Sequence, residues 1–140
     1  MSTVAISKND FKARVEQEGI LFIDWWAGWC GPCRAFAPTY EKISAANPDI
    51  VFAKVDTEAE QELAGSFQIR SIPTLMIFRD GILLFSQPGA LPQSALEELV
   101  GKVRGLDMAA VRAEMAAADR EEAAKADASA TAATPATKGA

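Results

Sequence analysis

The sequence predicts an α/β protein in which a mixed β-sheet is covered by helices on both faces. Strand-like apolar runs alternate with helix-like segments through residues 1–105, in the order (β)αβαβαββα. The last two strand-like runs are joined by Asp80-Gly81, which is typical of a β-hairpin turn. With 49% hydrophobic and 24% charged residues, the chain is too apolar to be disordered. The alternation of strands and helices indicates parallel strands, and the hairpin that follows adds antiparallel strands to the same sheet.

The first helix and the strand after it are bounded by glycine. Ser7 begins a capping sequence, and the apolar spacing that follows ends at Gly19, which predicts a short helix. The apolar run Ile20–Trp26 is typical of a buried central strand. Apolar residues recur at i, i+4 and i+7 after Cys33, so a second helix is expected there, with a kink at Pro38.

The remaining elements of residues 1–105 are short apolar or periodic segments. They predict strands at Ile50–Val55, Thr74–Arg79 and Ile82–Gln87, and helices at Glu58–Ser66 and from Pro92 through Val103.

The composition changes near residue 106. From Leu106 to Ala140, 15 of 35 residues are alanine, and strong helix formers dominate as far as residue 126. We expect a domain at residues 1–105, an additional helix at residues 106–126, and a disordered Ala/Thr/Pro tail at residues 127–140. The helix is expected to pack on the domain or fray beside it, and the alternative is a helix that docks a partner. No function is assigned to this extension.

Several classes of site are excluded by composition. The chain has two cysteines and no histidine, so it cannot form a four-ligand Cys/His zinc site or a catalytic triad that needs imidazole. A net charge of -5 argues against binding the phosphate backbone of nucleic acids. The start carries no visible secretory signal, and no apolar run is long enough to span a bilayer, so we expect a soluble cytoplasmic protein without a membrane partner.

Two cysteines separated by two residues carry the candidate chemistry. Cys30 and Cys33 lie where a strand ends and a helix begins, so their sulfurs can meet within one helical turn. The helix N-terminus favours a thiolate at Cys30, which makes it the natural attacker in disulfide exchange. Cys33, one turn into the helix and less exposed, suits the resolving role. The alternatives are a structural cysteine pair or half of a metal site shared between molecules, which the absence of further ligands disfavours.

Several motifs together resemble the thioredoxin family. The family's active-site motif matches Trp29-Cys30-Gly31-Pro32-Cys33, and the other matches are Asp24-Trp25-Trp26-Ala27, Arg34, Pro38, Ala53-Lys54-Val55-Asp56, Arg70-Ser71-Ile72-Pro73-Thr74 and Gly89-Ala90. They occur in the family's order and cover most of residues 3–105. Two positions depart from the pattern: Trp25 replaces the commoner Phe, and Pro88 precedes Gly89 where a β-branched residue is more usual.

The resemblance implies a thioredoxin fold and the activity of a protein-disulfide reductase. Cys30 would attack a disulfide of an oxidised client protein, and Cys33 would then release the reduced client. The protein would act as an electron carrier without a bound cofactor or metal, and a thioredoxin reductase that draws on NADPH would restore its dithiol. We expect a monomer.

Asp24 is the one charged residue in the apolar run before the cysteines. A carboxylate in a central strand is desolvated, which raises its pKa and equips it to accept a proton from Cys33. An exposed, inert Asp at a strand end is the alternative, and the resemblance favours proton transfer. Lys54 on the neighbouring strand could pair with Asp24 and moderate the pKa shift; alternatively, it is an ordinary surface lysine.

An apolar docking surface is expected around Cys30. Trp29 adjoins the nucleophile and is the best surface candidate among the tryptophans, because Trp25 and Trp26 could instead pack in the core. The resemblance implies a cis Ile72–Pro73 peptide bond against the cysteine pair, although Pro73 could also be a plain turn proline. The expected surface comprises Trp29, Gly31, Pro32, Ile72, Pro73, Gly89 and Ala90.

Two other functions compete with the reductase. One is a disulfide oxidase or isomerase, which the Gly31-Pro32 dipeptide and the expected cytoplasmic location disfavour. The other is a binding module in which the redox state of the cysteines is incidental.

Overall fold

The computed structural model describes residues 2–138, with side chains as far as residue 126. The chain divides into two compact units, Met1–Arg104 and Gly105–Ala140. The strands are β1 (Val4–Ala5), β2 (Ile20–Trp26), β3 (Val51–Asp56), β4 (Thr74–Arg79) and β5 (Ile82–Pro88). The helices are α1 (Lys8–Glu16), α2 (Gly31–Ala46), α3 (Gln61–Ser66), α4 (Gln93–Arg104) and α5 (Met108–Lys138).

Within the described part of the first unit, the strands form one mixed sheet. Its order is β1-β3-β2-β4-β5. β1, β3 and β2 are parallel, whereas β4 is antiparallel to β2 and β5 is antiparallel to β4. β5 therefore lies at one edge, where Pro88 pairs with Thr74. The predicted thioredoxin fold, a central mixed sheet flanked by helices, is confirmed.

Alternate side chains of β2 enter two separate cores. Leu21, Ile23 and Trp25 pack in a cluster with residues of α1 and α3. Phe22 packs on the opposite face with residues of α2 and α4. Because side chains alternate along a strand, Asp24 is directed to the α2 side of the sheet.

The strands lie at or close to their predicted bounds. β2 and β4 match the prediction, and β3 is displaced by one residue at each end. The hairpin turn contains Asp80 and Gly81 with φ angles of 53° and 81°, as a two-residue turn between twisted strands requires. α2 continues through Pro38 to Ala46.

α1 is shorter than predicted, because it ends at Glu16 and not at Gly19. Gln17 already has extended backbone angles. The chain then turns so that Gly19 donates its N–H to Asp80 Oδ1 at 2.8 Å and accepts the Asp80 N–H at 3.0 Å. Because of this long-range contact, the helix ends at Glu16, although the helical apolar spacing continues to Gly19.

α3 is also shorter than predicted, because it begins at Gln61 and not at Glu58. Asp56 Oδ1 accepts the backbone N–H groups of Glu58 and Ala59, so these residues form a turn at the end of β3. The first helical turn is therefore displaced towards Gln61.

The second unit contains the additional helix. The helix begins at Met108, where Asp107 Oδ1 accepts the N–H groups of Ala109 and Ala110. Its backbone continues past residue 126, the predicted end, to Lys138. Disorder of residues 127–140 in solution stays a prediction, and residues 139–140 lie outside the described residues. Among the described helices, none has the length and apolar character needed to cross a membrane.

Candidate active site

A disulfide joins Cys30 and Cys33 at the start of α2. Their Cα atoms are 5.2 Å apart, and Cys30 is the N-cap residue of the helix. Pro32 lies in the first turn, where its missing N–H leaves no helical hydrogen bond unmade. The strand-to-helix junction predicted for this motif is confirmed.

The helix terminus directs a hydrogen-bond donor at one sulfur. The Cys33 N–H donates to Cys30 Sγ over 3.2 Å. This contact and the helix dipole stabilise negative charge at Cys30, and neither does so at Cys33. Exposure does not distinguish the two cysteines, since Cys30 is 4% and Cys33 2% exposed. The two cysteines therefore differ in their electrostatic surroundings more than in their exposure. The sequence had predicted a difference in both respects.

The cis-proline loop lies against the disulfide, and the glycine loop is hydrogen-bonded to it. The Ile72–Pro73 peptide bond is cis, and the Ile72 carbonyl oxygen is 3.7 Å from Cys30 Sγ. Gly89, at φ 109°, donates its N–H to the Pro73 carbonyl at 2.8 Å. One hydrogen bond therefore ties the glycine loop to the cis-proline loop beside the cysteines. The Pro73 ring itself is buried.

The three tryptophans near the site have different environments. Trp29 is 66% exposed. Trp26 is half-buried and packs with Ile72 against the cluster formed by the two cysteines and Ala27. Trp25 is fully buried against aromatic rings of the α1 and α3 core. Of the three tryptophans, Trp29 alone is exposed, and the predicted surface residues Gly31, Pro32, Gly89 and Ala90 are exposed as well.

Asp24 is buried without a hydrogen-bonding partner. It is 1% exposed, and neither carboxylate oxygen has a partner among the described residues. Burial raises the pKa of Asp24 from its ordinary value of 3.8 to about 7, and the positive charge of Lys54 opposes this shift. Asp24 can therefore hold or release a proton near neutral pH.

Lys54 lies beside Asp24 in the register of β2 and β3, as expected from the sequence. It does not form a salt bridge with Asp24, because its Nζ lies over the ring of Trp26, 4.6 Å from the centroid. Lys54 therefore acts on Asp24 through its charge and not through direct contact. The stack between Lys54 and Trp26 was not predicted, since only the register of the two strands would have indicated it.

A groove of about 500 Å³ lies beside this stack. Trp26, Lys54, Asp10, Asp56 and Glu60 are among the residues that line it. Each of the three carboxylates already accepts a backbone N–H. The described residues contain no group of three or more Cys, Asp or Glu residues that could hold a metal ion.

Comparison with known proteins identifies the family. The model of the family described as Thioredoxin matches residues 2–102. The chain belongs to the thioredoxin family. A putative thioredoxin 2 of Streptomyces coelicolor (strain ATCC BAA-471 / A3(2) / M145) is 55% identical over 111 residues, which cover 79% of this chain and 83% of that protein. The thioredoxin of Bacillus subtilis (strain 168) is 38% identical over 103 residues, which cover 73% of this chain and 98% of the relative.

Solved thioredoxin structures share the fold. A Plasmodium falciparum thioredoxin has a TM-score of 0.66 and 33% identity, with 71% of this chain and 98% of that chain covered. Mitochondrial thioredoxin 3 from Saccharomyces cerevisiae, in its oxidised form, has a TM-score of 0.66 and 30% identity, with 72% and 95% covered.

Membership of the thioredoxin family and the bonded cysteine pair together define the activity. The protein is a thiol–disulfide oxidoreductase that works as a dithiol–disulfide reductase of the thioredoxin type. Its family implies interactions with a reductase and with client proteins. Thioredoxins need no cofactor.

Proposed function

We propose that Cys30 attacks the client disulfide and that Cys33 resolves the resulting mixed disulfide. The observation that supports this order is the Cys33 N–H donated to Cys30 Sγ at the N-terminus of α2. A thiolate at Cys30 gains this hydrogen bond and the favourable field of the helix dipole, so the thiolate is favoured at Cys30 over Cys33.

The reaction then transfers two electrons to the client. Cys30 Sγ bonds to one client sulfur, the client S–S bond breaks, and the other client sulfur leaves as a thiolate. Cys33 loses its proton and attacks Cys30 Sγ, which breaks the mixed disulfide and releases the second client thiolate. The client is reduced, and the Cys30–Cys33 disulfide is the oxidised product.

Asp24 accepts the proton from Cys33 in the proposed second step. It faces the α2 side of the sheet, and a pKa of about 7 lets its carboxylate take up a proton at neutral pH. Lys54 modulates this role, because its charge keeps the pKa of Asp24 from rising further.

Client proteins dock on an apolar surface around Cys30. The exposed Trp29 and the tied loops beside the disulfide support this assignment. The proposed surface comprises Trp29, Gly31, Pro32, Ile72, Pro73, Gly89 and Ala90, with buried Pro73 contributing loop shape and not contact area.

In the cell, a thioredoxin reductase drawing on NADPH returns two electrons to the Cys30–Cys33 disulfide. The chemistry supports a cytoplasmic location, since a reductase must keep its dithiol reduced. We propose an electron carrier that acts as a monomer without a bound cofactor, nucleic acid or membrane partner.

The test is insulin reduction with NADPH and a thioredoxin reductase. The native chain is expected to turn over NADPH, whereas Cys30→Ser is expected to be inactive. Cys33→Ser should accumulate a mixed disulfide through Cys30 that is visible by non-reducing electrophoresis. A native chain that fails to reduce insulin, even with dithiothreitol as donor, would refute the reductase. A covalent adduct that forms in Cys30→Ser and not in Cys33→Ser would reverse the two roles.

A further inference from the structure

A second, smaller cavity opens beside the cis-proline loop. It has a volume of about 190 Å³. Its polar lining includes Arg70, Ser71 and Ser86, and its apolar lining includes Phe67, Ile69 and Pro88. No acidic side chain lines it. In this respect it differs from the groove beside Lys54, which carries three carboxylates.

The cavity adjoins the proposed docking loops. Ser71 precedes Ile72, whose carbonyl oxygen lies 3.7 Å from Cys30 Sγ, and Pro88 precedes Gly89. An extended chain advances roughly 3.3 Å per residue. Arg70 and Ser71, which line the cavity, stand two residues and one residue before Ile72. A client segment paired along this loop would place a side chain at the cavity roughly two or three residues from the cysteine that Cys30 attacks.

Arg70 is the one charged side chain in the lining. It is exposed and forms no ion pair with any described residue. A guanidinium presents paired N–H donors in a planar fork, which matches the two oxygens of a carboxylate. The exposed hydroxyls of Ser71 and Ser86 are further donors for such a group.

The loop that carries Arg70 is held at both ends. The Ile69 N–H donates to the Ala64 carbonyl at 3.0 Å, and the Thr74 hydroxyl donates to the Ser71 carbonyl. Arg70 is therefore presented from a tied loop, which reduces the entropy lost when a ligand binds.

From this arrangement we propose that the cavity is a subsite for an Asp or Glu side chain of the client, located two or three residues from the attacked cysteine. This subsite rests on the proposed function, since it orients the chain that Cys30 attacks. Arg70 is the residue that determines the preference.

The experiment compares disulfide peptides that differ at one position. Three peptides carry Glu, Gln or Lys two residues from the cysteine, and kcat/KM is measured by single-disulfide reduction with dithiothreitol as donor. The Glu peptide is expected to exceed the Gln peptide by roughly three- to tenfold at low salt, and this ratio should shrink in 0.5 M NaCl (about a 4 Å screening length). Arg70→Gln should bring the Glu/Gln ratio close to 1. Arg70→Glu should invert the preference towards the Lys peptide.

Arg34→Gln is the matched control, because it removes the same charge from an exposed position of α2. It is expected to keep the Glu/Gln ratio. A ratio that survives Arg70→Gln, or that disappears equally in Arg34→Gln, would overturn the subsite and indicate long-range attraction only. Equal kcat/KM for all three peptides would overturn it as well. A chain that reduces neither the peptides nor insulin would contradict the proposed function itself. Failure of the subsite can therefore be distinguished from failure of the proposed function.

Discussion

At the scale of single residues, Asp24 makes stability depend on pH. Its pKa is about 7 in the folded protein, against an ordinary value of 3.8. Between these values the folded chain holds a proton that the unfolded chain has released, so the free energy of unfolding falls as pH rises. Above pH 7 the carboxylate is buried as an ion, with a destabilisation on the order of 4 kcal/mol.

Asp24→Asn is therefore expected to stabilise the oxidised protein at high pH. We expect a gain of a few kcal/mol at pH 9 that shrinks towards pH 5, measured by urea unfolding. Glu18→Gln removes the same charge from an exposed position and should change stability little at either pH. A gain that is the same at pH 5 and pH 9 would show that packing, and not ionisation, causes it.

Lys54 should tune the acidity of Asp24 from its position over Trp26. Because its charge lowers the pKa of Asp24, Lys54→Met is expected to raise that pKa further while still covering the indole. An NMR titration of the Asp24 carboxyl would measure the change. Lys12→Met, on exposed α1, is the control that should leave the titration unmoved. An unchanged pKa of Asp24 in Lys54→Met would show that Lys54 does not influence the acidity of Asp24.

The sequence predicted these residues better than it predicted their contacts. A lone Asp in the apolar run Ile20–Trp26 indicated burial, and the two-residue cysteine spacing indicated a disulfide. The position of Lys54 over Trp26 depends on the register between β2 and β3, which α2 separates in the chain. The spacing of residues close together in the sequence does not indicate how two distant strands pair.

At the scale of elements, the connection from α3 to β4 contains a strained residue. Gln68 has a φ angle of 54°, in the left-handed region that glycine occupies more readily. Gln68→Gly is expected to stabilise the protein by up to about 1 kcal/mol, because glycine adopts this φ angle without strain.

Gln17→Gly is the control for this substitution. Gln17 is equally exposed but has a φ angle of -61°, so glycine there should destabilise the protein by roughly 0.5–1 kcal/mol. Thermal or urea unfolding of both variants measures the difference. Equal losses at the two positions would contradict the argument from φ.

Element boundaries were predicted less well than element types. The end of α1 and the start of α3 each lie three residues from their predicted positions, and in both cases a side-chain contact is responsible. Asp80 accepts the Gly19 N–H, and Asp56 accepts the Glu58 N–H in the turn before α3. A helical apolar pattern does not contain this information, because polar side chains at distant or flanking positions compete for the backbone.

At the scale of the whole molecule, the redox chemistry lies in the first unit. Both buried clusters of the sheet, the disulfide and the loops proposed to dock clients fall within Met1–Arg104, and the thioredoxin family model matches residues 2–102. The sequence predicted a boundary at residue 105, because the alternation of strand-like and helix-like segments stops there and an alanine-rich composition begins. It could not assign a role to the extension, because the resemblance ends with the first unit.

A chain ending at residue 105 is therefore expected to fold and to reduce disulfides. We expect cooperative thermal unfolding and a kcat/KM for insulin reduction within about twofold of the full chain, since the reacting groups are retained. A matched control is the full chain with Arg104→Ala, which loses the ion pair to Asp49 at the end of α4. Loss of cooperative unfolding on truncation alone would show that the extension is part of the folding unit.

The pairing of Pro88 with Thr74 affects how copies of this protein meet one another. Gly89 donates to the Pro73 carbonyl next to this pair, so the antiparallel pattern turns the Pro88 nitrogen towards the open edge of β5. Another residue would offer an N–H there to a second strand, but proline has none. The sheet thus resists growth by edge-to-edge aggregation at the end where we propose that clients dock.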